Sequence, residues 1–200
     1  MDPSDTWLVA GLGNPGTAYE HTWHNLGFLV IDRLAVRNNV RITRPESRAI
    51  VGSGRLASSD VVLAKPQTFM NLSGTSVAPL AEKYQISPAR VILVHDELDL
   101  PWTGVRIRSK GSAAGNHGIE SVIHSLGTQE FPRVRLGIHP GHPLKSGADF
   151  VLSPIRKAQM EELDELLDHA AAAVESIIAE GVEKAMTKFN RRARGIKQEE

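Results

Sequence analysis

The sequence predicts a single α/β domain, a mixed twisted sheet flanked by helices on both faces. Three observations predict it. Short apolar runs of strand character alternate with stretches of helical periodicity along the whole chain. Two of the runs are joined by a turn short enough for a hairpin, which makes the sheet mixed rather than wholly parallel. No linker, internal repeat or low-complexity segment divides the 200 residues, a length suited to one core.

Taken in order, residues 6–12 form an apolar run that ends in glycines and reads as a buried strand. Gly13-Asn14-Pro15-Gly16 is a turn, and a polar stretch follows to Asn25. From Leu26, the residues Phe28, Leu29, Ile31, Leu34 and Ala35 recur at helical spacing. Residues 49–57 and 61–64 are the two arms of the hairpin, turning at Ser58-Ser59-Asp60. Residues 71–84 read as a helix even though Pro79, which lacks a backbone donor, lies within it. Val91-Ile92-Leu93-Val94 is a continuous apolar run of central-strand type, ending in the acidic string Asp96-Glu97-Leu98-Asp99. Residues 105–108 alternate apolar and basic, residues 111–118 are a loop, and 119–126 a short helix. Val134, Leu136 and Ile138 alternate with Arg133 and Arg135 as on a half-buried strand. Ser153-Pro154 has the N-cap and first-turn residues of a helix start. Met160, Leu163, Leu167, Ala170, Val174 and Ile177 make its apolar stripe, and residues 182–189 a second helix after Gly181. The domain is expected to span residues 1–190, with 191–200 a polar basic tail.

Composition narrows the function classes. Without cysteine there is no disulfide framework, thiol nucleophile or thiolate zinc site, and a reducing cytoplasm fits. The first residues lack the basic start of a signal peptide, and no apolar run approaches the ~20 residues of a membrane span. Lys plus Arg equals Asp plus Glu at 23 each, which argues against attachment to nucleic acid or membrane by bulk charge. The charge is segregated, however. Between residues 101 and 148 stand Arg106, Arg108, Lys110, Arg133, Arg135 and Lys145 against only Glu120 and Glu130. Basic residues alternating along strands suit a phosphate-bearing partner, whereas the acidic face of the long C-terminal helix reads as solvated surface.

Gly11-Leu12-Gly13-Asn14-Pro15-Gly16 matches the letters of a dinucleotide-binding fingerprint. It lacks the helix that should open at the third glycine, since the helical pattern starts about ten residues later at Leu26. A tight turn is the better reading, with Asn14 offering an amide that both donates and accepts. His24 precedes a helix, and Asp96 ends a buried strand, where α/β sheets line their ligand crevices. If the two meet, the carboxylate fixes the imidazole tautomer and His24 becomes a base for activating water. His139-Pro140-Gly141-His142 reads as a turn, with no third ligand at metal-binding spacing. No Gly-x-Ser-x-Gly nucleophile motif occurs.

The sequence strongly resembles the bacterial peptidyl-tRNA hydrolase family from Leu8 to about Phe189. Four ordered blocks carry the resemblance: residues 11–16 with Tyr19, residues 22–27, residues 69–74 and residues 95–101. The family cleaves the ester between a peptide and the 3′ ribose of tRNA. The resemblance implies a single metal-free, cofactor-free, generally monomeric α/β domain. It also implies His24 as catalytic base, Asp96 as its orienting partner, and Asn14 and Asn71 as residues that position substrate and water. Tyr19 and Met70 match residues of the peptide cleft, and Arg108 and Arg135 match those that clamp the tRNA 5′-phosphate. Lys145 looks like a further tRNA contact. Two departures stand out. Trp23 replaces a common Arg, and Asn116-His117 reverses the family's usual His-Asn order. The substrate-holding asparagine role therefore stays open between Asn116 and His117. A rival expectation is an RNA-binding relative that keeps the fold without hydrolysis, against which Asn14, His24, Asn71 and Asp96 argue together.

Overall fold

The computed structural model describes residues 5–190, so the expected basic tail lies outside the described residues. Its middle layer is a sheet of seven strands: β1 (Trp7–Gly11), β2 (Arg44–Glu46), β3 (Ala49–Leu56), β4 (Ser59–Pro66), β5 (Val91–Pro101), β6 (Val105–Arg108) and β7 (Arg133–His139). Their order is β2-β3-β4-β1-β5-β7-β6. The central pairs β4/β1, β1/β5 and β5/β7 are parallel, and the flanking pairs β2/β3, β3/β4 and β7/β6 are antiparallel. The expected mixed sheet and the β3–β4 hairpin are both present. The helices are α1 (Leu26–Arg37), α2 (Gly74–Lys83), α3 (His117–Leu126), α4 (Gly147–Val151), α5 (Met160–Glu180) and α6 (Val182–Phe189).

Strand alternation sorts the core into two layers, because successive side chains point to opposite faces. Val9, Ile92, Val94, Val134 and Leu136 pack against α1 and α5 through partners such as Val30, Leu34, Leu167 and Val174. Leu8, Ala10, Val91 and Leu93 pack the other way, against Val77 and Leu80 of α2 and Ile119 and Val122 of α3. On β6 and β7 the first face carries Val105, Ile107 and Val134. The opposite face of those two strands therefore carries Arg106, Arg108, Arg133 and Arg135 instead of apolar residues.

Several boundaries differ from the sequence reading. β5 continues through the acidic string to Pro101, because β7 pairs alongside it as far as His139 across a register shift. A 3-10 turn at Met70–Leu72 precedes α2, and α3 starts two residues early, capped by Asn116. β2 and α4 carry no legible signal in three and five residues. The helix start at Ser153-Pro154 is overturned. Pro154 bridges Thr22, the Ile155 amide donates to the His21 carbonyl at 2.8 Å, and α5 begins only at Met160. A proline with no donor serves an isolated extended contact as well as a first helical turn.

Candidate active site

The site forms where the C-terminal ends of β1 and β5 meet the start of α1. Gly11 and Gly27 make that meeting possible. A Cβ on Gly11 would overlap the Gly27 carbonyl, and one on Gly27 would overlap the backbone of Leu12 and Val94. The close approach sets the turn Trp23–Asn25 over the strand ends, and the strap at residues 153–155 holds it from outside. Trp23 is buried, edge-on to Trp102 at 4.9 Å and stacked on Phe150 at 5.5 Å between centroids. This unusual tryptophan thus fastens the turn and α4 together and does not line the cavity.

By alternation Asp96 falls on the same face as Ile92 and Val94, the side that carries α1. That register brings it to His24. The imidazole Nδ1 lies 3.0 Å from both Asp96 carboxylate oxygens, with Asp96 buried and His24 open toward solvent. A carboxylate only accepts, so Nδ1 carries the proton, and Nε2 is the ring's free basic nitrogen. Both residues line a cavity of about 710 Å³, together with Asn14, Phe69, Met70, Asn71, Leu98, Asn116, His117 and α4 residues such as Val151.

Each amide in this cavity has a defined setting. Asn14 Oδ1 accepts the Met70 amide at 2.8 Å, which leaves Nδ2 as its unused donor. Asn25 holds the Asn14 backbone from both sides, Oδ1 accepting its N–H and Nδ2 donating to its carbonyl, each at 2.9 Å. Asn71 is exposed on the 3-10 turn at the cavity wall. Asn116 and His117 both reach the cavity but differ in freedom. Asn116 Oδ1 accepts the Ile119 amide at 3.0 Å as the α3 N-cap, and its Nδ2 sits 3.4 Å from His95. His117 is exposed, touching only Glu120 at 3.4 Å.

Behind β5 lies a second cavity of about 170 Å³, lined by His95, Glu97, Arg108, Lys110, Arg133 and Arg135 with the loop at residues 111–114. Arg135 donates to Glu97 through Nε at 2.8 Å and again through its terminal nitrogen. Arg133, nearly buried, donates to the Ser112 carbonyl at 2.8 Å and the Gln129 carbonyl at 3.2 Å. Burial, with the neighbouring Arg135 charge adding to it, pushes its guanidinium down to about 10. His95 is buried, and its Nδ1 lies 2.7 Å from the Asp96 carbonyl. Burial holds its imidazole below the usual range, with the Asp96 and Glu97 charges opposing and Arg135 reinforcing.

The structure therefore brings His24, Asp96, Asn14, Met70, Asn71, Asn116 and His117 to one cavity, and Arg108 and Arg135 to another. Tyr19 does not line the main cavity; its carbonyl instead closes the turn before His24 by accepting from Thr22. Lys145 is exposed in the segment before α4, apart from the two arginines. Among the described residues no group of three or more His, Asp or Glu is placed to hold a metal ion, and His139 accepts a turn bond from Gly141. Asn25, His95 and Glu97 were not given site roles from the sequence, and only the adjacency of Asn25 to His24, and the flanking of Asp96 by His95 and Glu97, mark them. Arg133 was visible in the basic alternation but not as a member of this pocket.

A mixed sheet between helices carries an aspartate-held histidine and neutral amides at its strand ends, an arrangement that suits an α/β enzyme of the hydrolase class. The peptidyl-tRNA hydrolase family model matches residues 8–198. The peptidyl-tRNA hydrolase of Solibacter usitatus is 60% identical over 194 residues, spanning 97% of this chain and 99% of its own. That of Koribacter versatilis is 47% identical, over 92% of each chain. The crystal structure of peptidyl-tRNA hydrolase from Acinetobacter baumannii superposes with a TM-score of 0.85 at 33% identity, covering 92% of this chain and 94% of that one. The chain belongs to the peptidyl-tRNA hydrolase family.

Proposed function

We propose that this chain hydrolyses the ester linking a peptide to the 3′ ribose of tRNA, with His24 as general base. The observation that carries the mechanism is the paired contact of His24 Nδ1 with Asp96, which leaves Nε2 basic at the wall of the main cavity. Nε2 takes a proton from water as its oxygen attacks the ester carbonyl, and Asp96 stabilises the imidazolium that results. The unused Asn14 Nδ2 donates to the developing oxyanion. The imidazolium then returns the proton to the departing ribose oxygen. Asn71 positions water or the peptide backbone at the rim, and Met70 gives the peptide an apolar wall. His117 fills the substrate-holding role better than Asn116, whose amide oxygen is committed to the helix cap. Arg108 and Arg135 take the 5′-phosphate of tRNA in the second cavity, and Lys145 meets the backbone beyond it, contacts that position the RNA rather than read it. The setting is the cytoplasm, the working form a monomer, and formylated initiator tRNA a poor substrate. No helix among the described residues is long and apolar enough to cross a membrane.

The test is release of the N-acetyl-aminoacyl group from N-acetyl-aminoacyl-tRNA by the wild type and by His24→Ala. Rapid release by the wild type with a loss of about 10²-fold or more in the variant is expected. Binding of tRNA without release by the wild type would instead mark a non-hydrolytic RNA-binding relative.

A further inference from the structure

Neighbouring residues of one short turn serve different cavities. His24 lines the main cavity. Trp23, which departs from the family's common arginine, lines another cavity of about 320 Å³ with Trp102, Ile138, Phe150 and Arg156. Helix α4 lies between the two: Gly147, Ala148 and Val151 line the main cavity, and Phe150 lines the one behind. Five residues, none of them buried, give α4 little stability of its own. The Asp149 amide donates to the Ser146 cap at 3.2 Å and the Ser153 hydroxyl to the Phe150 carbonyl at 2.6 Å, which fixes the shape of the segment but not its place.

Its place comes from outside contacts. Gly147 sits so close to Leu98 of β5 that a Cβ there would overlap that side chain. The Phe150 ring stacks on Trp23 with 17° between the planes, and the Trp23 amide donates to the Ser153 carbonyl at 3.4 Å. Trp23 is held edge-on by Trp102, whose indole N–H donates to Glu162 of α5 at 2.7 Å. A line of contacts thus runs from α5 through two indoles to α4. Behind α4 lies a cavity rather than close-packed core, so the ring stack keeps the helix forward where packing density does not. In front, α4 presents small and aliphatic groups beside Leu98 and Met70, while His24 and Asn14 supply the polar groups of the same cavity. Such a wall suits an acyl chain better than the hydroxyl-bearing end of an RNA.

We infer that Trp23 is a positioning residue that, by stacking on Phe150, fixes α4 as the apolar wall for the acyl chain and so sets acyl affinity without entering the chemistry. The inference rests on the reading of the main cavity as the hydrolytic site.

The experiment is steady-state hydrolysis of N-acetyl-leucyl-tRNA, with deacylated tRNA as a competitor that lacks the acyl chain. Phe150→Leu removes the stacked ring from the α4 side and leaves the turn carrying His24 untouched. It should raise KM about three- to tenfold, hold kcat within about twofold, and leave inhibition by deacylated tRNA unchanged. Trp23→Leu should raise KM to the same extent, and Trp23→Phe, which keeps a ring, should restore most of the affinity. Combining Trp23→Leu with Phe150→Leu should cost no more than either alone, because both delete one contact. An unchanged KM in Phe150→Leu overturns the inference. So does a fall in kcat at constant KM, which would give the rings the task of holding His24 instead. Equal weakening of substrate and deacylated tRNA overturns it as well, since the wall would then serve the RNA. Additive losses in the double variant do the same. If Trp23→Leu fails to fold, Phe150→Leu decides together with Phe150→Tyr, whose retained ring should keep KM near the wild-type value. A wild type that releases no acyl group removes the reading of the cavity and this inference with it, whereas normal hydrolysis by both wild type and Phe150→Leu removes the inference alone.

Discussion

The two cavities on either side of β5 are built by opposite means. The main cavity is made largely of segments following strands, and toward its mouth it presents neutral amides and the two histidines His24 and His117, with His24 held by Asp96 and Asn14 held by Asn25 and Met70. The cationic cavity is made of alternate residues within strands closed by the loop at residues 111–114, and full charges dominate its polar groups. Amides give direction at small cost in desolvation, which suits the alignment of a carbonyl and a water. Charges give range with little angular demand, which suits holding a phosphate whose position matters more than its orientation. The difference predicts that damage to the polar groups of the first cavity appears in kcat and damage to the second in KM and salt dependence.

The largest effect should come from the dyad. Asp96→Asn keeps the shape but can present an amide N–H to Nδ1, which favours the tautomer with its proton on Nε2, where no base is left. A fall in kcat of about 10²-fold or more with little change in KM is expected from single-turnover assays. A loss confined to KM would break the contrast between the cavities.

Asn25→Ala comes next and tests whether the amides act through fixed geometry. Its removal leaves the Asn14 N–H and carbonyl without partners in a buried site, a cost of about 1–3 kcal/mol for each unsatisfied group. Thermal melting should register the destabilisation, and kcat should fall because the Asn14 donor is no longer aimed. A melt shift with kcat intact would mean that Asn25 supports only the fold. In the other cavity Arg108→Ala should leave kcat nearly intact, raise KM, and reduce the slope of log affinity against log salt by about 0.7–0.9 for each lost phosphate contact.

The legibility of the two regions differs for the same reason. Asn14, His24 and Asp96 could be read because turn glycines, a helix start and the end of an apolar run locate strand ends without knowledge of the packing. The Asn25 clasp could not, since nothing in one dimension says that residue 25 lies beneath residue 14. Glu97 was hidden because an acidic string after an apolar run looks like a loop, whereas β7 extends the strand through it. Ser153-Pro154 satisfies the local chemistry of a helix start, and only the tertiary bridge to Thr22 decides for an extended strap. The arginines on β6 and β7 were visible as an alternation; that they share a pocket with an acid from a third strand was not.

The smallest effect concerns the wall between the cavities. His95 is buried and its imidazole is held below the ordinary value of about 6.5. Above that value neither the folded nor the unfolded chain carries the proton, so this group adds no pH dependence. As the pH falls below about 6.5 the unfolded chain takes up a proton that the fold resists, and stability declines until the folded-state value is reached. In His95→Gln, whose amide can still donate to the Asp96 carbonyl, the denaturant-unfolding free energy should fall less steeply between pH 6.5 and 5 than in the wild type. The pH profile of catalysis should keep its shape in that variant. A change of the activity profile together with the stability profile would show that the partition and the dyad act as one unit, and the separation of the two cavities would fail at the residue that joins them.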